Sequence, residues 1–473
     1  MGIPWSRERK VCYDTATMGG ERFGRALIGP AGLRRRLGLF GLLLGLLASL
    51  CGPQSGLRPA GAQPAPAPVP SPPGLPHTFQ LFQELAARRG VSLQAPVRVL
   101  VQDRAAVDQH LRELLDRQFP PDQARAEQKM LAAMGLLPAG FDLRAFVFDL
   151  LREQVAAYYD PHRREVVLGD WLTNDQMEAA LRHELAHALQ DQQLNLRQFL
   201  APMPGRSDLA LARESLLEGE AMVLMLEGAL AARGADLAQL PALGPILEQT
   251  LLSSMTPVLR AGPPFFRARL FFPYVAGAEF IQTLRRQEPW SALMRLYRDP
   301  PRATAQILDP EQYRQGVAPE PIVLPEVSGL LGAGWSRVHE DVVGAFHLLQ
   351  VLRLAHPEPE ARRLVTGLRG DRVALLEQGS AESLLIWLTV WENEGTAGRF
   401  VTAAGPLLPS LRPGALELSG PAPQPGPAPQ RTWRLPQGLA LVEQRGPEVL
   451  MLLGAPAASV DPLRRLVWGA RGR

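Results

Sequence analysis

The strongest chemical signal in the sequence is His183-Glu184-Leu185-Ala186-His187. On a helix, side chains four apart share a face, so His183 and His187 can offer two imidazole nitrogens to one ion. Zinc takes such ligands at ~2.0–2.1 Å, and a hydrolytic zinc site keeps one position for water. Glu184 is angled beside that face rather than on it, where it can take a proton from the water. Only three residues are fixed in this pattern. With 8 histidines in the chain, the chance expectation is on the order of 0.01 matches, so context has to carry part of the weight.

A third ligand is required. Arg213-Glu214-Ser215-Leu216-Leu217-Glu218-Gly219-Glu220-Ala221 offers three carboxylates. Glu214 and Glu218 share a face, whereas Glu220 lies about 200° around from Glu218. Glu218 precedes Gly219, whose missing side chain lets helices approach closely. It also stands at the edge of an apolar stretch, residues 221–226, that reads as buried. A carboxylate there needs a cation or hydrogen bonds. Glu218 is the expected ligand, Glu214 the alternative, and Glu220 is expected to be a solvated charge.

The elements that must position these groups follow from spacing and punctuation. Residues 97–101 read as a strand. Helices are expected over 103–119, from there to about Met134, and over 142–155. A strand follows at 165–168. The two-histidine helix opens at Thr173-Asn174-Asp175-Gln176, a capping box, and runs to about Leu194. Ser207-Asp208 caps the next helix, which runs to Gly234. Residues 317–328, with Pro319, Pro321 and Pro325, suggest a domain boundary. Beyond it are expected a helix at 342–354, strands at 372–376 and 384–390, and a helix over roughly 395–407. A Pro-rich loop at 421–429, strands at 432–435, 439–443 and 449–453, and a terminal helix complete the chain. His339, His347 and His356 have no ligand spacing and are expected to be surface or core residues. No phosphate loop, nucleophile elbow or internal repeat is found.

The His-Glu-x-x-His helix followed by a Glu-Gly-x-Ala helix resembles the gluzincin metallopeptidases, the clan of thermolysin and the zinc aminopeptidases. The resemblance implies that Glu218 is the third zinc ligand. It also implies a proton donor to the developing oxyanion, for which Tyr274, Tyr158 and Tyr159 are candidates. Where thermolysin has a further carboxylate, this chain has Met222; Asp191 could replace it by orienting a histidine, or could be a helix-end charge. Gluzincins pair extended substrate with an edge strand before the zinc helix, and Glu165-Val166-Val167-Leu168 resembles that strand, unless it is an ordinary core strand. The chain is also similar, over most of residues 90–400, to a little-characterised group of exported bacterial proteins. The echoes include Ala156-Ala157-Tyr158-Tyr159-Asp160-Pro161, Pro273-Tyr274-Val275-Ala276-Gly277 and Gly370-Asp371-Arg372. It departs from that group's Ser-Thr-Glu-Gln-like stretch with Ala303-Thr304-Ala305-Gln306.

Composition bounds the remaining choices. The chain has 473 residues, long enough for two or three domains. Residues 1–62 hold nine basic and three acidic residues, and removing them from the totals of 50 and 47 leaves 41 and 44. The body is therefore slightly acidic, which argues against nucleic-acid binding. Arg34, Arg35 and Arg36 precede an apolar run at 37–50, and Ala60-Gly61-Ala62 follows, so residues 1–62 read as an export signal, cleaved, or retained as an uncleaved or lipid anchor. Residues 63–76 are a Pro/Ala tether. The 2 cysteines, Cys12 and Cys51, both precede it, so the body has no disulfide.

The expectation is an α+β, mostly helical chain: a gluzincin-like zinc domain at 77–318 and a smaller α+β accessory domain at 319–473. One Zn2+ would be held by His183, His187 and Glu218, with Glu184 as base. The implied activity is an exported metallopeptidase acting on peptide or protein, meeting the membrane only through its N-terminal segment. The alternatives are a non-catalytic, zinc-stabilised cell-envelope scaffold or binding protein, and a zinc hydrolase of a non-peptide substrate.

Overall fold

Side-chain caps set several of the helix starts. In the computed structural model, which describes residues 77–231, 234–379, 382–419 and 430–471, Asp103 accepts the Ala106 N–H at 2.8 Å and opens α2 (Arg104–Gln118), after an unforeseen α1 (Thr78–Arg89). Pro121 opens α3 (Pro121–Ala133), and Asp142 caps α4 (Leu143–Gln154). The capping box at Thr173 and Gln176 is present and starts α5 (Asn174–Leu194), which carries both histidines. Helix α6 (Ser207–Ala231) carries Glu218, followed by α7 (Gly244–Ser253) and α8 (Pro264–Arg285). The signal segment, the tether, both cysteines and the Pro-rich loop at 421–429 lie outside the described residues.

A small sheet backs α5. Strand β1 (Arg98–Gln102) runs parallel to β3 (Glu165–Gly169), and β2 (Ala157–Asp160) pairs antiparallel with β3 on its other side. The order is β1-β3-β2. Of the two readings of residues 165–168, the core strand holds and the edge does not. Val166, Val167 and Leu168 are almost fully buried because β3 has a strand on each side and α5 against it. The edge nearest α5 on the Glu184 side belongs to β2, whose Tyr159 N–H reaches Glu184.

The C-terminal part is a seven-stranded antiparallel sheet. Its strands are β4 (Trp335–Asp341), β5 (Leu368–Gln378), β6 (Glu382–Trp391), β7 (Leu416–Ser419), β8 (Gln430–Arg434), β9 (Leu439–Arg445) and β10 (Glu448–Ala455), in the order β4-β5-β6-β10-β9-β8-β7. Both faces are covered. Val373, Leu375, Leu385 and Trp387 join the large core that extends from Leu81, while Ala374, Leu376, Leu384 and Ile386 face a second core under the terminal helix (Val460–Arg471). Period-two alternation between two apolar layers explains why these strands read as continuous apolar runs. The fold is mixed α+β, as expected.

Helices α6 and α8 form the most extensive helix pair around the site. A methyl at Gly219 would lie 2.2 Å from the Gly277 carbonyl carbon, and one at Gly277 would lie 2.1 Å from the Ser215 oxygen. Two glycines thus permit backbone-to-backbone packing beside Glu218. Among the described residues, no helix is long and apolar enough to cross a membrane.

Candidate metal centre

Glu218 of α6 meets both histidines of α5. His183 Nε2 is 3.1 Å from Glu218 Oε2, His187 Nε2 is 3.1 Å from His183 Nε2, and His187 Nε2 is 3.5 Å from Glu218 Oε2. A tetrahedral ion with ligands at ~2.0–2.1 Å has ligand atoms about 3.3–3.4 Å from one another. The three atoms therefore form a triangle of the size that one face of such a coordination sphere requires. The donor set, two imidazoles and a carboxylate, fits a first-row transition metal.

Burial sets the electrostatics. His183 is 0% exposed, and His187 and Glu218 are 4% exposed. Burial opposes charge on Glu218, yet the two histidines outweigh it and hold the carboxylate at about 2. Burial likewise opposes charge on His187, and the Glu218 carboxylate lifts it to about 9. Binding an ion to these groups would release protons from them.

Glu184 sits beside the triangle. Burial raises its pKa above the ordinary carboxyl value, against the pull of His183 and His187. Its carboxylate accepts the Tyr159 backbone N–H, while Oε1 has no hydrogen-bond partner among the described residues. A buried carboxylate with one oxygen free is poised to receive a proton.

Tyr274 on α8 reaches the site. Its hydroxyl donates to Glu218, and its ring centroid is 6.1 Å from that of His183. Burial, then the carboxylates Glu218, Glu214 and Glu184, push the phenol well above its usual range, so it stays a proton donor. The other two tyrosines serve elsewhere: Tyr158 stacks on His110 with centroids 4.6 Å apart, and the Tyr159 hydroxyl donates to Asp191 at 2.8 Å.

Two open alternatives are decided here, and one expectation, a solvated Glu220, is corrected. Asp191 does not orient a histidine; it accepts from Tyr159 and from the Leu196 N–H at 2.7 Å, holding the turn after α5. The orienting residue is Gln190, whose Oε1 lies 2.8 Å from His187 Nδ1. Glu214 is not in the ligand triangle, because both of its oxygens are held by Arg269 of α8. Glu220 is not solvated: it is 1% exposed, ion-paired with Arg89 of α1 and bonded to the Tyr297 hydroxyl. Nothing local to Glu220 announces a partner 131 residues away.

The Ala303-Thr304-Ala305-Gln306 stretch also acquires a role. Asp208, at the start of α6, accepts from the Thr304 N–H at 2.9 Å and from its hydroxyl, and that hydroxyl accepts from the Phe346 N–H at 3.0 Å. Gln306 donates to the Val317 carbonyl at 2.7 Å. These bonds fasten the helix bearing Glu218 to the C-terminal part.

Comparison with known proteins adds one match. A family model, a domain of unknown function (DUF8575), covers residues 331–464, which begins just before β4 and excludes α5 and α6. No curated protein and no solved structure matches the chain.

Proposed function

We propose that this chain is an exported, zinc-dependent metallopeptidase. The observation that carries the reading is the ligand triangle of 3.1, 3.1 and 3.5 Å among His183, His187 and Glu218, with the free oxygen of Glu184 beside it. The gluzincin-like motif pair supports peptide as the substrate class, and the arginine-led apolar segment at 34–50 supports export.

Bound zinc would supply a Lewis acid that polarises a carbonyl and makes water a stronger acid. The residues do the rest. Glu184 takes the proton from the attacking water through its free oxygen and returns it to the leaving amine. Tyr274 would turn its hydroxyl from Glu218 toward the charge that develops on the carbonyl oxygen. Gln190 accepts from His187 Nδ1–H and so leaves Nε2 as the ligand atom.

Metal content tests the ligand assignment. Zinc is measured by mass spectrometry on the purified full chain and on Glu218→Ala. The reading expects the variant to lose one equivalent relative to wild type. Equal zinc in both proteins would remove Glu218 from the ligand set.

A further inference from the structure

A second group of metal-binding side chains lies where the helical part meets the C-terminal sheet. Glu127 comes from α3, and His339 and Asp341 come from β4. The two β4 residues are two apart, so they point to the same face of the strand. A register irregularity between Arg337 and His339 adjusts where that face presents them. One ligand atom from each of the three lies within 4.8 Å of the others.

The bonding around these groups is incomplete without a further partner. His339 Nε2 is buried and 3.2 Å from Glu127 Oε2, yet its direction does not satisfy a hydrogen bond. Asp341 is 2% exposed and Glu127 7% exposed. Asp341 is aimed by Ser207, whose N–H donates to Oδ1 at 3.0 Å and whose hydroxyl donates to Oδ2. Each of those oxygens keeps a second lone pair. Two buried carboxylates and one imidazole thus lie together, a donor set that a cation would complete.

We propose that Glu127, His339 and Asp341 form a second divalent-cation site, suited to zinc or a similar transition metal. One imidazole and two carboxylates suit such ions better than calcium, which takes oxygen ligands alone. The His339 side chain is 18% exposed, so the cluster lies near the surface. Once bound, the ion ties α3 to β4 and, through Asp341 and Ser207, to the first residue of the helix that carries Glu218.

The test is zinc stoichiometry on the chelator-stripped full chain, by calorimetric titration and by metal content after desalting. It compares wild type, His339→Gln, Glu127→Gln and Glu218→Gln, each checked for folding by circular dichroism. Both first-named variants should bind one equivalent fewer than wild type. Glu218→Gln should lose a different equivalent and keep this one, so the two sites fail independently. If His339→Gln does not fold, Glu127→Gln, which keeps size and hydrogen bonding, carries the comparison. Folded Glu127→Gln or His339→Gln protein that binds as many equivalents as wild type would overturn the site and leave a plain ion pair.

Discussion

Gln190 joins the two helices that hold the ligand triangle: its Oε1 is 2.8 Å from His187 Nδ1 on its own helix, and its Nε2 donates to the Leu217 carbonyl of α6 at 2.9 Å. The second bond fixes which end of the amide faces the imidazole. His187 must then donate from Nδ1, which commits Nε2 to the metal. Gln190→Leu removes the acceptor and the tie to the Leu217 carbonyl. Zinc affinity should fall about 10–100-fold, the usual cost of losing such an orienting group. A competition titration with a chromogenic chelator measures it, and an unchanged affinity would make Gln190 a packing residue only.

Gly219 and Gly277 set the spacing between Glu218 and Tyr274. Gly219→Ala drives a methyl into the Gly277 backbone, which cannot yield as a flexible side chain would. The expected loss is about 3 kcal/mol or more, at the upper end for overpacked cores. Gly228→Ala is the control on the same helix, since nothing lies within 4 Å of its added methyl. It should be neutral or stabilising by up to about 1 kcal/mol. Denaturant unfolding of both variants checks the contrast.

Asp208 makes stability depend on pH. Burial, and then the nearby Asp371 carboxylate, lift it to about 7 against the bonds from Thr304. The folded chain therefore holds a proton that the unfolded chain releases above the ordinary value of 3.8. The stabilisation from this proton is complete at pH values below that and is lost as pH rises through about 7. Asp371 and Asp341, each raised to about 6 chiefly by burial, act in the same direction. Asp208→Asn mimics the protonated acid. Melting curves between pH 5 and 8 should show a shallower decline for this variant than for wild type. Parallel curves would contradict the assignment.

Arg89 and Glu220 form a buried pair, supported by Tyr297 and by Trp290, which stacks with its ring centre 5.0 Å from the guanidinium. Arg89→Met leaves an uncompensated carboxylate and should cost about 3–5 kcal/mol. Adding Glu220→Leu should recover most of that loss, because the pair's attraction mainly offsets its own desolvation. A double-mutant cycle in urea gives the coupling directly.

The helices of the ligand triangle were legible because their evidence is local. Thr173, Gln176, His183 and His187 all lie within one helix, and the periodic apolar residues of α5 needed no distant partner to be read. Gly219 was legible as a close-approach position, although the partner it meets is α8. What escaped depended on distant neighbours. Strand β4 is mostly polar and half-buried because it is a sheet edge, so Trp335 to Asp341 carries little strand signal. Helix α1 has a mixed polar composition, and its purpose is visible only when Arg89 meets Glu220. The cluster of Glu127, His339 and Asp341 joins residues more than 200 positions apart, which no motif spacing encodes.

The central claim is that Glu184 activates water at a metal held by His183, His187 and Glu218. It is tested most directly by hydrolysis of an unstructured protein substrate, with zinc-loaded wild type beside zinc-loaded Glu184→Gln. The account predicts cleavage by wild type, abolition by chelator and restoration by zinc. It predicts that Glu184→Gln carries the same zinc and turns over at least about 100-fold more slowly. A zinc-replete Glu184→Gln protein that cleaves as fast as wild type would contradict it.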